Sequence, residues 1–533
     1  MSSLFIHFIA LIIIIMILIM VSQKLRIAYP IVLVVGGLIV SMIPGLPMFH
    51  IRPELIFMIF LPPLLYEAAW YTSWKDFWRW RRVITSFAFL GVLITSLIVA
   101  VVSSMLIPGF SLALGFLLGG IVSPPDAVSA SSILKTVKVP KRVTAIVEGE
   151  SLLNDASSLI VFRFALIAVE TGHFIIHEAA FNFIFVIVMG ILTGIVVGML
   201  YFIIHKWLPT NTDIDIILTL STPYVIYIIA EAFHFSGVLA VVSGGLFLSS
   251  KRHLFLNHSS RLRGSNVWST FGFILNGIVF ILIGLQLPVI IQQLGNISLS
   301  AAVGYGTVIT FVLISSRILC AFGAAAFTRF ISRYITTADP NPGWKGPLLF
   351  AWSGMRGVVS LASALAVPLY LSNGLPFPQR NLILFITFVV ILLTLVIQGL
   401  TLPVLIKWLK MEDPDQHLSE DDQNDFVRKQ LSQRSLTFLN TYYRQETENN
   451  LKLHQMYEYL QNCSDRRNNC SDRRNFSDSE QQIYVTAYQN LLQEQRICLE
   501  ELNALETIDD EIIRKYHDLV DVEEEKLLIQ YQH

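Results

Sequence analysis

Charge is what this 533-residue sequence has least of: 14% of its residues are Asp, Glu, Lys or Arg, against 54% apolar. Soluble domains carry roughly 25% charged residues, so water is excluded as the main solvent for most of the chain. Cysteine is also scarce. Of four, Cys320 lies in an apolar block and Cys463, Cys470 and Cys498 follow it, with no CxxC spacing; reduced thiols and no structural metal site are expected. There is no GxxxxGK[ST] phosphate loop, which removes support for ATP-driven pumping, and no cofactor is expected. A TVGYG-like filter and an arginine-repeat voltage helix are absent too.

The shortage of charge is uneven. Through Lys410 the chain holds 25 basic and 13 acidic residues; beyond it, 13 basic and 26 acidic. An acidic end is a poor partner for nucleic acid, and none is expected. Before Lys410 the apolar residues come in blocks of about 20, the length a helix needs to cross hydrocarbon. Thirteen such spans can be placed, near 3–21, 30–47, 54–71, 83–107, 111–133, 144–169, 180–204, 215–235, 237–249, 266–291, 299–331, 346–370 and 381–408. The first lacks a basic leader and is read as a retained helix.

Loops after odd-numbered spans carry 20 Lys and Arg, from Lys24 to Lys410, and those after even-numbered spans carry only Arg52 and Arg380. The positive-inside rule then puts the N-terminus outside and the C-terminal end in the cytoplasm, as expected for a multi-pass protein of the plasma membrane embedded in lipid. Two domains follow: a transmembrane part, 1–410, and a tail, 411–533, in which helical spacing over 480–505 and 508–530 predicts a small helical domain. The tandem NCSDRRN repeat at 462–475 reads as an exposed insertion.

Several charges fall inside spans, where each costs at least about 2.5–3.5 kcal/mol unless it faces protein or water: Arg163, Arg317, Arg356, Glu67, Asp126, Glu150, Asp155 and Glu231. Two of these spans are also broken. Ser123-Pro124-Pro125-Asp126 interrupts the fifth, because prolines remove amide donors and disrupt the preceding turn. Ser353-Gly354-Met355-Arg356-Gly357 interrupts the twelfth. Paired interruptions point to a transporter's binding site, and their odd offset fits inverted repeats; a proline kink and a glycine packing face would explain either one alone. The opposed half-helix ends are expected to be compensated by Asp126 and Arg356.

The sixth span opens Glu148-Gly149-Glu150-Ser151-Leu152-Leu153-Asn154-Asp155, which on a helix gathers carboxylate, hydroxyl and amide oxygens on adjoining faces. Such a set suits a partly dehydrated alkali cation, with one carboxylate to choose between cation and proton. Glu148 and Glu150 alone could be solvated acids at a helix start; Asp155, a turn deeper, is harder to explain that way.

GESLLNDASSLIVFR, SPPDAVSA, FLPPLLYEA and GMRGVVSLA resemble motifs of the electroneutral branch of the cation/proton antiporters, which includes bacterial NhaP-like proteins and the animal sodium/proton exchangers. The likeness covers nearly all of 1–410. It implies an all-α membrane fold of about thirteen helices, NhaA-like, with inverted repeats and two broken crossing helices, and a homodimer. Carried over by motif, it places the Na+ and H+ site at Asp155 and Asn154, with Ser151 and the Pro125 carbonyl as ligands and Asp126 organising the site. It makes Glu150 the partner of an arginine, Arg356 first and Arg317 as the alternative. Many relatives have Thr-Asp-Pro at the first break where this chain has Pro125-Asp126-Ala127, so a threonine hydroxyl is missing. Asn154-Asp155, where electrogenic relatives carry Asp-Asp, implies one-for-one Na+/H+ exchange by a carrier that is not an enzyme. K+/H+ exchange on the same scaffold and a cation channel or sensor are the alternatives.

Overall fold

The computed structural model describes residues 2–25, 27–42, 56–134, 137, 139–172, 176–294, 297–334, 343–371, 374–411, 419–462, 478–505 and 507–531. The NCSDRRN repeat from its second residue on, Cys463, Cys470, Arg26, Arg52, Lys135 and Lys138 lie outside these residues. Among the described residues every regular element is helical. Seven of the described helices are long and apolar enough to cross a membrane: Trp74–Leu106, Lys141–Thr171, Asn182–Trp207, Thr212–Ala232, His258–Gln292, Leu299–Phe330 and Arg380–Leu409. Three shorter apolar helices accompany them.

In chain order the helices begin with α1 (Ser2–Leu25), α2 (Tyr29–Ser41), α3 (Leu61–Tyr71), α4 (Trp74–Thr85) and α5 (Val92–Leu106). A π-helical stretch, Ser86–Gly91, joins α4 to α5. Then come α6 (Leu112–Val122), α7 (Ala127–Leu134), α8 (Lys141–Thr171), α9 (Ile176–Trp207), α10 (Thr212–Ala232), α11 (Gly237–Phe255), α12 (His258–Gln292) and α13 (Leu299–Ile331). The apolar series ends with α14 (Lys345–Trp352), α15 (Val358–Leu365) and α16 (Arg380–Leu409). After it lie α17 (Glu420–Tyr442), α18 (Arg444–Asn449), α19 (Leu451–Asn462), α20 (Asp478–Asn503) and α21 (Asp510–Tyr531).

The described chain divides into two compact units, one made of Met1–Pro209, Ile217–Phe255 and Val267–Asp413, the other of Thr210–Ile216, Leu256–Asn266 and Pro414–His533. In the first, small residues set the helix spacing. A Cβ on Gly115 would come within 2.5 Å of the Ala100 carbonyl oxygen, and one on Gly119 within 2.6 Å of that of Ser96. This Gly-x-x-x-Gly face lets α6 lie directly on the backbone of α5. On the other side of α6, Gly120 does the same against the Phe162 amide of α8. The long α8 ends where Gly172 turns left-handed (φ 70°) and its N–H closes on the Ala168 carbonyl.

In the second unit, Ser419 caps α17 by accepting the Asp422 amide at 3.1 Å, and three acids in the first turn suit the positive helix end. Val427, Leu431, Leu492, Leu499, Ile512 and Val520 form the core between α17, α20 and α21. The start of α12 belongs to this unit. There Arg261 Nε donates to Asp521 Oδ2 at 2.7 Å, Arg496 Nη2 reaches Asp521 Oδ1 at 2.8 Å, and Arg496 also pairs with Glu524. His258 lies between Glu524 and Glu525, 3.6 and 3.0 Å away.

Candidate functional site

The two breaks predicted from proline and glycine are present, and they touch. α6 stops at Val122 and α7 starts at Ala127; α14 stops at Trp352 and α15 starts at Val358. The Asp126 amide donates to the Met355 carbonyl at 2.6 Å, so the unpaired backbone of one break partly satisfies the other. Asp126 then caps its own half-helix. Its Oδ1 accepts the Val128 amide at 3.3 Å and its Oδ2 accepts both the amide (3.2 Å) and the hydroxyl (2.5 Å) of Ser129. Only glycine fits opposite this carboxylate, since a Cβ on Gly357 would sit 2.4 Å from Asp126 Oδ2.

Arg356 is fully buried and bonded to backbone. Its Nε donates to the Val122 carbonyl at 2.9 Å, Nη2 to that of Ser123 at 3.4 Å, and Nη1 to that of Gly354. These carbonyls lie where helices end, and a guanidinium supplies both the donors and the positive charge such ends call for. The Arg356 amide reaches the Thr394 hydroxyl of α16 at 3.3 Å.

The expected pairing of Glu150 with Arg356 is therefore corrected. Glu150 Oε1 and Oε2 accept Nη1 and Nη2 of Arg317 at 2.9 and 2.7 Å. The fork geometry of Arg317 matches a carboxylate, whereas the donors of Arg356 are occupied by the carbonyls around it. Arg317, on α13, stacks its guanidinium 4.9 Å from the Phe350 ring centroid and passes over Gly354, whose absent side chain leaves the room. A small cavity lined in part by Thr95, Ser123, Glu150, Arg317 and Cys320 lies beside the pair.

Asp155 lies one turn along α8 from Ser151 and is 7% exposed. Among the described residues no hydrogen bond or ion pair engages its carboxylate, while the carboxylates of Asp126 and Glu150 act on it electrostatically. Asn154 is fully buried, and neither atom of its side-chain amide has a partner. Buried polar atoms are nearly always bonded, and here, among the described residues, an amide and a carboxylate without protein partners stand next to one another on α8. Ser151 donates to the Pro125 carbonyl at 3.2 Å, which ties α8 to the first break.

The remaining predicted charges lie apart from this cluster. Arg163 pairs with Glu231 of α10, both side chains partly exposed. Glu67 of α3 lies against Gly272 of α12, where a Cβ would fall 1.6 Å from its Oε2. Sequence reasoning missed two neighbours: Thr394, and Ser157, which donates to the Ala88 carbonyl of the π-helical stretch. Their signal was a hydroxyl within an apolar run.

Long apolar helices, with two shorter ones broken against one another, define a helical membrane protein. Residues 9–408 match the family described as "Sodium/hydrogen exchanger, transmembrane". The chain belongs to the sodium/hydrogen exchanger family. It is 35% identical over 388 residues to the sodium, potassium, lithium and rubidium/H(+) antiporter of Bacillus subtilis (strain 168), a match covering 70% of this chain and 57% of that protein. With the low-affinity Na(+)/H(+) antiporter NhaS1 of Synechocystis sp. (strain ATCC 27184 / PCC 6803 / Kazusa) it shares 32% identity over 396 residues, 72% of this chain and 70% of the relative. The fold resembles that of the sodium proton antiporter MjNhaP1 from Methanocaldococcus jannaschii, with a TM-score of 0.60 at 20% identity, covering 78% of this chain and all of that one.

Proposed function

We propose that the chain is a secondary antiporter that exchanges Na+ for H+ one-for-one, with Asp155 as the carboxylate both substrates share. The observation that carries this is a contrast. Glu150 is neutralised by Arg317, Arg356 by carbonyls, Asp126 by a helix end and Arg163 by Glu231; Asp155 has no such partner. Asn154, Ser151 and the Pro125 carbonyl complete an oxygen-rich shell, and Asp126 fixes the break that presents it. One carboxylate alternating between one Na+ and one H+ moves no net charge per cycle.

The same reading includes thirteen spans in inverted repeats, a homodimer in the plasma membrane, an external N-terminus and a regulatory cytoplasmic tail. The loop charges support the topology and family membership supports the dimer. K+ and Li+ belong among the candidate substrates because the Bacillus subtilis relative is named for them.

The test is dequenching of a pH dye in inverted vesicles across Na+, Li+ and K+. The parent should dissipate a preset proton gradient with membrane potential clamped, and its apparent cation affinity should weaken by up to tenfold per unit as pH falls, because the proton competes for Asp155. Asp155→Asn should insert normally and exchange nothing. Exchange by that variant comparable to the parent would remove the basis of the reading.

A further inference from the structure

The segment Trp74-Lys-Asp-Phe-Trp-Arg-Trp-Arg-Arg82 is not used by the ion site. It carries four basic residues and one acid. Its helix, α4, is continuous with the π-helical stretch and α5, giving 33 residues in all. That is about 50 Å long, whereas the hydrocarbon core is about 30 Å thick, so roughly the length of α4 must lie at or beyond the interface. The helix is two-faced. Phe77, Trp80 and Ile84 are buried, while Trp74 and Trp78 are 44% and 53% exposed and Arg79 and Arg82 are exposed beside them. The exposed surface is ordered: Trp74 stacks on Trp78 with centroids 5.7 Å apart, and the Arg81 guanidinium lies 4.4 Å from the Trp78 ring centroid.

Exposed indoles next to arginines suit the boundary where acyl chains meet phosphates. The net positive charge calls for an anionic headgroup, and the loop charges put this end of the helix in the cytoplasmic leaflet, where such lipids act on basic clusters. We propose that α4 is a binding site for an anionic phospholipid, its phosphodiester held by Lys75, Arg79, Arg81 and Arg82 and its acyl boundary by Trp74 and Trp78. The buried face of α4 touches the ion-site helix. A Cβ on Gly149, next to Glu150, would lie 2.6 Å from Ile84 Cδ1 and 3.3 Å from Phe77 Cδ2, and Ser157 of α8 bonds the carbonyl of Ala88 just beyond α4. Lipid on α4 therefore acts on α8 through the contacts at Gly149 and Ser157, and transport responds to headgroup charge. This second consequence rests on the antiporter reading; the binding does not.

The test uses the full chain with two readouts: lipid retained in native mass spectrometry, and cation-driven proton flux in phosphatidylcholine vesicles with and without phosphatidylglycerol. Phosphatidylglycerol should be retained in preference to phosphatidylcholine and should raise flux several-fold. Retention should fall by about fivefold for each of Arg79, Arg81 and Arg82 changed to Gln. The triple Lys variant should keep both responses, and the triple Gln variant should keep the flux seen in phosphatidylcholine alone. Equal retention of the two lipids, or a triple Gln variant that responds as the parent does, overturns the proposal. So does inorganic phosphate reproducing the rise in pure phosphatidylcholine, which would make the ligand a free anion. Absence of flux in every lipid with selective retention intact would overturn the antiporter reading and the coupling, and leave the lipid site standing.

Discussion

Glu150 and Asp521 are both buried carboxylates that meet arginine, and they meet it differently. Glu150 has Arg317 in a two-pronged pair that engages both of its oxygens. Asp521 is shared by Arg261 and Arg496, and Arg496 goes on to Glu524, which faces His258. Within apolar helices every added charge costs several kcal/mol, so the stable arrangement is a closed pair with both forks filled. At the helix start that packs with the tail, water can complete what the side chains leave undone, and a network with open ends persists.

The comparison can be broken most forcibly at the closed pair. Arg317→Ala should cost about 3–5 kcal/mol by stranding Glu150, and the double change to Gln at both positions should recover most of it, read as thermal stability in detergent. A double variant as unstable as Arg317→Ala would show that packing over Gly354 and Phe350 matters, not charge. A smaller effect is expected in the network. Asp521→Ala should cost about 2 kcal/mol, because Arg261 and Arg496 retain the Leu256 carbonyl and Glu524 as acceptors. Hydrogen exchange should rise across 510–531 and at the start of α12 together; a rise confined to one of them would disconnect the two.

The smallest effect is that of pH. Burial pushes Asp521 up, but the hydrogen bonds and charges of Arg261 and Arg496 outweigh it and hold the carboxyl below its ordinary value of 3.8. A group with a depressed value in the folded state stabilises above its unfolded value and loses that contribution as pH falls through the folded one. Protection of 510–531 by Asp521 should thus be constant from neutral pH down to about 5 and fade only below about 4. Loss that begins near pH 6 and persists in Asp521→Asn would assign it to another group.

Much of this is legible in the sequence. Pro124-Pro125 and Gly354-Gly357 announced the breaks because their effect on a helix is local, requiring no knowledge of neighbours. The grouping of Ser151, Asn154 and Asp155 followed from the pitch of a single helix. The partner of Glu150 did not follow, because it depends on which of two arginines has free donors. Arg356 stands inside a break, where exposed carbonyls from α6 and from its own segment claim it; Arg317 stands on an unbroken helix with its fork unclaimed. Nor could sequence show that Ser157 reaches Ala88, which requires both the π-helical stretch and its contact with α8.

The way Arg356 satisfies α6 also bears on how the chain is made. At 11 and 8 residues, α6 and α7 are roughly 16 and 12 Å long, each too short to cross the hydrocarbon alone. The carbonyl of Val122 waits for a guanidinium encoded 234 residues later, which at about 5–20 residues per second is roughly 10–50 s of synthesis. Throughout that interval the Val122 carbonyl lacks this donor, so the first break is completed only once the segment after α14 has been made.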